Sequence, residues 1–364
     1  MPYLPIEKIR PGSYLGQTIY DESGMPIIEK GDELTSPVLR YLANYGFRRL
    51  LIHSDQHHGV EYSDVVPQEV KNQGLKILAD TFQGIRERKG WSTLQQYAQK
   101  IEDLADEILE HLNSQHYLVA DLMNVKCTNR YMLEHSLNVG VLGAIVGKNY
   151  HFSQSQVREI LMAGLFHDAG KLFIGDNILN KPDYLDSAET EEMRKHPEYG
   201  YQILINQYRT AQPIALGSLG HHERWNGSGY PQKLQEHNIP LYGRIIAAID
   251  VFDAMTSDRV YRQGLPQAGV LAYLKRLAGV YFDPEVIAVI ERSIYPYPSG
   301  SIMKLSTHEN AVVAENNPED TYSPIVQIIQ TQLQSGKVLN LQHAQQQISM
   351  KTTFQYNLKE TDAS

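Results

Sequence analysis

A histidine and an aspartate stand at the end of an apolar helical stripe, in Phe166-His167-Asp168-Ala169-Gly170-Lys171-Leu172. Val157, Ile160, Leu161, Gly164 and Leu165 recur at helical spacing before it, with Ser153 and Gln156 placed as a capping box. Continued by the same period, the stripe runs onto His167 and Asp168. An imidazole and a carboxylate on the buried face of a helix are expensive to desolvate unless hydrogen bonds or a cation satisfy them, and a metal ion does both. A fold that accepts this stretch has to bring further ligands to it.

Candidates cluster in a region, 115 to 294, that reads as helical almost throughout. His135 lies in Leu133-Glu134-His135-Ser136-Leu137-Asn138-Val139. His196 ends Glu191-Glu192-Met193-Arg194-Lys195-His196, where Pro197 marks a helix start or stop. His221 and His222 open His221-His222-Glu223-Arg224-Trp225-Asn226-Gly227-Ser228-Gly229-Tyr230-Pro231, and Asp250 sits inside the apolar run Ile245 to Phe252. Taken singly, a histidine on an apolar face is more often a hydrogen-bonded core residue than a ligand. Asp250 resists that reading, because its helical neighbours Ile246, Ala247 and Ala254 are apolar and an unpaired charge there would be severely destabilising. Jointly, nitrogen and oxygen donors without sulfur suit iron, manganese, cobalt or zinc. The set is too large for one ion and suits two ions with a bridging carboxylate.

Composition narrows the rest. The chain of 364 residues is long enough for two or three domains. One cysteine, Cys127, rules out an intrachain disulfide framework and a thiolate-rich zinc site, and a lone cysteine is usually a small hydrophobe rather than a nucleophile. The net charge of −9 argues against a general DNA binder, since affinity for phosphate backbones comes mostly from Lys and Arg. No apolar run approaches the roughly 20 residues that span a bilayer, and the first residues carry no signal-peptide pattern, so the expected location is cytoplasmic, away from membranes.

Along the chain, residues 1–57 read as a small α/β N-terminal domain. Strands are expected over Ser13 to Tyr20, Met25 to Lys30 and Arg48 to His53, with a turn at Asp21-Glu22-Ser23-Gly24 and a helix over Ser36 to Tyr45 ended by Gly46. His57-His58 read as solvated loop residues. Residues 58–114 read as a helical linker, broken near Gly90-Trp91-Ser92; its second helix is a candidate packing or homodimer face. Residues 295–350 read as a β-rich extension, with runs over Ser301 to Leu305, Ala311 to Glu315 and Ile325 to Ile329, and 351–364 as a frayed tail. The fold class is mainly α.

Over about residues 118 to 294 the chain resembles the HD-GYP family, the branch of HD-domain phosphohydrolases that act on cyclic di-GMP. The resemblance rests on His135-Ser136-Leu137-Asn138-Val139, His167-Asp168-Ala169-Gly170-Lys171, Ile178-Leu179-Asn180-Lys181-Pro182, His221-His222-Glu223-Arg224, Gly229-Tyr230-Pro231 and Asp250-Val251-Phe252-Asp253-Ala254-Met255-Thr256-Ser257-Asp258-Arg259. It implies an HD-type helical bundle with two divalent transition-metal ions, iron or manganese first. Asp168 would bridge them, His135, His167 and Asp250 would complete one site, and His196, His221 and His222 the other. A third-metal glutamate of some relatives is replaced here by Tyr131, so two metals are expected. Gly175, Asn226 and Val260 depart from the family's usual proline, aspartate and proline.

The implied activity is a phosphodiesterase whose first product from cyclic di-GMP would be pGpG, and a second round could give GMP. Two metals about 3.5–4 Å apart lower the pKa of a shared hydroxide and stabilise phosphoryl charge, and in-line attack expels the 3′ oxygen. Lys171, one turn beyond His167, can reach the phosphate; Arg259 and Arg262 can hold its nonbridging oxygens. Tyr230 either contacts substrate or braces its own loop, and the Gly229-Tyr230-Pro231 loop is also a candidate protein-partner site. The rival readings are a phosphohydrolase of another nucleotide and a receptor that binds cyclic di-GMP without turnover.

Overall fold

The structure, a computed structural model, describes residues 3–21, 25–53, 65–87, 91–115, 119–120, 131–181, 183–206, 210–257, 264–329 and 338–340. Its first elements are β1 (Tyr3–Pro5), β2 (Ser13–Leu15), β3 (Ile19–Tyr20), β4 (Pro26–Ile28), β5 (Glu33–Leu34), α1 (Ser36–Tyr45) and β6 (Arg49–His53). A four-stranded sheet in the order β1-β6-β2-β5 lies beside the β3-β4 pair. Leu39 and Leu42 of α1 meet Leu15, Leu34, Leu50 and Ile52 of the strands in one apolar cluster. Gly46 closes α1 in the left-handed region at φ 112°, where a Cβ would be strained. The expected strand over Ser13 to Tyr20 is split: Gly16 donates to Leu51 O at 2.7 Å and is pressed on that backbone, so β2 ends at Leu15. The strand β1 carries no alternation and was not anticipated. Of the expected turn, Glu22, Ser23 and Gly24 lie outside the described residues, as do His57-His58, Cys127 and the tail.

Two long helices follow, α2 (Gln68–Arg86) and α3 (Trp91–Ser114). They lead to α4 (Tyr131–Asn149) and α5 (Gln154–Phe166), then α6 (Asp176–Leu179), α7 (Ser187–Met193), α8 (His196–Asn206), α9 (Gln212–Gly220), α10 (Leu241–Thr256), α11 (Gln267–Arg276) and α12 (Pro284–Ser293). One continuous apolar cluster joins α2 and α3 to this bundle. At its centre α4 and α5 cross almost backbone to backbone: a Cβ on Gly164 would lie 2.7 Å from Gly140 Cα. Larger residues there would push apart the helices that carry His135 and lead into His167.

The chain closes with β7 (Ile302–Lys304), β8 (Asn310–Glu315), β9 (Ile325–Ile329) and β10 (Val338–Asn340) in the antiparallel order β10-β9-β8-β7. Met303, Ala311, Val313, Val326 and Ile328 form their own apolar cluster, and Thr321 Oγ1 donates to Glu291 O of α12 at 3.3 Å. Among the described residues no helix is long and apolar enough to cross a membrane.

Candidate metal centre

The helix that leads to His167 starts at the expected capping box and stops before the apolar period predicts. Ser153 and Gln156 form the capping box, Ser153 N donating to Gln156 Oε1 at 3.0 Å. But α5 ends at Phe166, and Asp168 adopts φ −98°, ψ 5° as the chain tightens into a 3-10 turn over Ala169–Phe173. Adjacent residues of a regular helix point about 100° apart and do not share a face. The change of backbone at this point turns His167 and Asp168 toward one centre, with His167 Nε2 3.4 Å from Asp168 Oδ2.

Four other segments converge there. His135 comes from the first turns of α4, His196 begins α8, His221 and His222 follow α9, and Asp250 comes from the middle of α10. Ligand atoms of three sets lie within 4.8 Å of one another: His135, His167 and Asp250; His167, Asp168 and His221; His196, His221 and His222. Asp168 stands between the first and last. Its Oδ2 faces His167 at 3.4 Å and His135 at 4.0 Å, while Oδ1 faces His196 at 3.4 Å and His221 at 3.8 Å. The carboxylate of Asp250, 16% exposed at its side chain, has the partner it needs in His135 Nε2, 3.0 Å away.

The donor chemistry fits cations. Nδ1 of His167, His196 and His221 lies 2.8, 2.7 and 2.5 Å from the carbonyl three residues earlier, of Gly164, Met193 and Ser218. A carbonyl only accepts, so each Nδ1 carries the proton and each Nε2 presents a lone pair inward. His196 Nε2 and His221 Nε2 are 3.2 Å apart, two lone pairs facing each other, an arrangement that a cation between them would relieve. His167 Nε2 and Asp168 Oδ1 are buried without a hydrogen-bond partner, and such groups are costly unless a ligand satisfies them.

Electrostatics keep most of the ligands ready. Burial, reinforced by the Lys171 charge, lowers the His196 pKa to about 4. Burial and neighbouring histidines hold His221 and His222 well below the usual imidazole value, so all three stay neutral. Burial would raise the Asp168 and Asp250 carboxyls, but Lys171 and His167 outweigh it at the first, and His135 at the second, and both stay ionised. His135 is the exception: hydrogen bonds to Asp250 and Asp253 overcome burial and raise it to about 9.

Three supporting residues escaped the sequence reading. Asp253 Oδ2 accepts from His135 Nδ1 at 2.8 Å, Oδ1 accepts from Asn138 at 3.2 Å, and Ser257 Oγ donates to Oδ2 at 3.2 Å. The available signal was its place three residues after Asp250, on the same helical face. Glu223, 2% exposed, accepts from the backbone N–H of Gln232 at 2.7 Å and of Leu234 at 3.0 Å, closing the loop that carries Gly229-Tyr230-Pro231. Arg194 places its guanidinium 5.4 Å from the Tyr230 ring centroid.

As for the expected substrate contacts, Lys171 Nζ donates to Asp168 Oδ2 at 2.7 Å, at the centre itself. Tyr230 stacks on His222 at 4.7 Å and 19°, and burial raises its phenol far above the usual value, so it stays protonated. Asn226 Oδ1 accepts from Ser228 N at 3.0 Å, the turn-closing bond that an aspartate would also make. Arg259, Arg262, Val260 and Pro182 lie outside the described residues, as does the Tyr131 side chain.

Residues 118–286, which hold this centre of histidines and aspartates around an adjacent His-Asp pair, match the family described as HD domain. The matched stretch takes in the Gly229-Tyr230-Pro231 loop. The chain is 33% identical over 228 residues to a cyclic di-GMP phosphodiesterase of Pseudomonas aeruginosa, covering 63% of this chain and 54% of the relative. It is 37% identical over 199 residues to a cyclic di-GMP phosphodiesterase of Thermotoga maritima, covering 54% and 51%. A 3′3′-cGAMP-specific phosphodiesterase of Vibrio cholerae is 36% identical over 175 residues, covering 48% and 34%. The chain thus spans about half or less of the length of these relatives.

Proposed function

We propose that the chain is a metal-dependent phosphodiesterase that hydrolyses cyclic di-GMP to pGpG, from which a second round of the same reaction could give GMP. The observation that carries this is the division of Asp168, one oxygen turned to His135 and His167 and the other to His196 and His221. In this reading two ions, iron or manganese, would be held, one by His135, His167 and Asp250 and the other by His196, His221 and His222, with Asp168 common to both sets. Bound there, such ions supply Lewis-acid polarisation of a phosphodiester and activate water as a nucleophile.

The chain's own residues do the rest. Nδ1 bonds to backbone carbonyls and to Asp253 fix the imidazoles of His135, His167, His196 and His221, so these ligands need little reorganisation. Lys171, 27% exposed at its side chain, is close enough to accompany a phosphoryl oxygen. Arg259 and Arg262 remain assigned to the nonbridging oxygens. Tyr230, stacked on His222, braces the loop. Residues 115–294 form the catalytic unit in this reading, with 1–57, 58–114 and 295–350 as flanking units and the protein acting in the cytoplasm. Purified protein is expected to contain about two transition-metal ions and to linearise cyclic di-GMP, and Asp168→Ala to lose both properties. A metal-loaded protein inert toward cyclic di-GMP would sink the reading.

The likeness to a 3′3′-cGAMP-specific relative favours one alternative, hydrolysis of a mixed cyclic dinucleotide. Product chromatography on cyclic di-GMP and 3′3′-cGAMP side by side decides between them.

A further inference from the structure

Among the described residues, the cationic side chains that neighbour the centre differ in how firmly they are engaged. Lys171 Nζ sits 2.7 Å from Asp168 Oδ2, inside the ligand set. The Arg224 guanidinium lies 5.5 Å over the Phe282 ring with its Nη1 buried. Lys195 Nζ is 2.7 Å from Glu192, whose other oxygen accepts from Tyr199. Arg194 is different. Its side chain is 50% exposed, and its one carboxylate partner is Glu191, 3.1 Å away and itself 71% exposed. Exposed pairs of this kind contribute little and exchange readily with other anions.

Its position is nevertheless well defined. Arg194 is the C-cap that follows α7, two residues before His196, and its guanidinium lies over Tyr230, which stacks on His222. The column runs from the His196-His221-His222 group through an aromatic ring to a half-exposed guanidinium. A guanidinium over an aromatic face keeps its N–H donors at its edge, free for bidentate contact with phosphate.

We infer that Arg194 is a phosphate anchor at the mouth of the site, holding a phosphate of the nucleotide on the His196-His221-His222 side. This rests on reading the centre as a nucleotide phosphodiesterase. It also gives the stack a purpose beyond bracing: Tyr230 holds the arginine in place, and the arginine selects for phosphate. A merely structural Arg194 would support the loop and the ligand His222 without regard to what is bound.

The test is equilibrium titration of the purified, metal-containing full chain with 5′-GMP and, separately, with guanosine, for the wild type, Arg194→Gln and Arg194→Lys. The dissociation constant for GMP is expected to rise about tenfold in Arg194→Gln and less in Arg194→Lys, as a charge-assisted hydrogen bond is lost or weakened. Guanosine affinity, metal content and melting temperature are expected to stay at wild-type values. Equal GMP affinity in all three proteins overturns the inference, as does a parallel loss for guanosine or a fall in metal content or melting temperature, which would mark a brace. A wild type whose GMP binding owes nothing to the phosphate overturns it too. Failure of the wild type to hydrolyse cyclic di-GMP would instead count against the proposed activity, while the GMP comparison would still decide the role of Arg194.

Discussion

Asp253 is in none of the ligand sets, yet the orientation of His135 depends on it. Its Oδ2 accepts from His135 Nδ1 at 2.8 Å, which turns Nε2 toward Asp250 and Asp168. Supporting carboxylates of this kind typically change metal affinity by about 10–100-fold. Asp253→Asn is expected to weaken metal binding by a factor in that range, read by competition with a chelator; unchanged affinity would reduce Asp253 to a helix-packing residue. The same histidines set a pH dependence. In the metal-stripped protein His196 is lowered to about 4 by burial and the Lys171 charge, and His221 and His222 lie well below the usual value. Unfolded histidines take up protons near pH 6.5. As pH falls below about 6.5, the unfolded chain gains protons that the folded cluster refuses, so stability is lost toward pH 4. His135, raised to about 9, acts oppositely: its contribution is complete below about 6.5 and fades as pH passes 9. Melting temperatures of chelator-treated protein are therefore expected to drop between pH 7 and pH 5, with the metal-loaded protein resisting until its ligands protonate.

At the level of elements, the centre depends on how closely the 3-10 turn after Asp168 approaches α8. A Cβ on Gly170 would run into the carbonyl of His196 and lie 2.6 Å from Gly200 N, and both obstacles are backbone. Gly170→Ala therefore has to separate the turn that follows Asp168 from the helix that begins with His196. Overpacking of this kind costs roughly 1–3 kcal/mol, and rigid obstacles place it at the upper end. A lowered denaturation midpoint is expected, together with metal loss. Retention of both would mean that the turn and α8 can separate without disturbing the ligands.

Across the whole molecule, α2 ties the N-terminal part of the chain to the centre. Gln17 Nε2 donates to Gln68 Oε1 at 3.1 Å at the start of α2; farther along, Phe82 meets Phe166 at 6.2 Å between ring centroids, one residue before His167. Arg86 pairs with Asp176 at 2.6 Å, but both side chains are more than half exposed. The two contacts should differ sharply in worth. Phe82, 3% exposed, is expected to cost about 3–5 kcal/mol when replaced by Ala. Arg86→Ala should change stability by no more than about 1 kcal/mol. Chemical denaturation of the two variants checks the order, and equal effects would refute it.

Much of this protein was legible before any fold. Helical periods placed Ser36–Tyr45 and the capping box at Ser153, and the residue types of His135, His167, Asp168, His196, His221, His222 and Asp250 announced nitrogen and oxygen donors with no apolar partner of their own. These were readable because periodicity and side-chain chemistry are local. The sequence did not disclose that α5 stops at Phe166, the change of backbone that turns His167 and Asp168 together, nor that Asp253 supports His135, that Glu223 closes the Gly229-Tyr230-Pro231 loop and that Arg194 lies over Tyr230. Those facts depend on where segments up to 118 residues apart meet, as His135 and Asp253 do. Backbone contact at Gly140, Gly164 and Gly170 allows that meeting, and only the tertiary structure decides it.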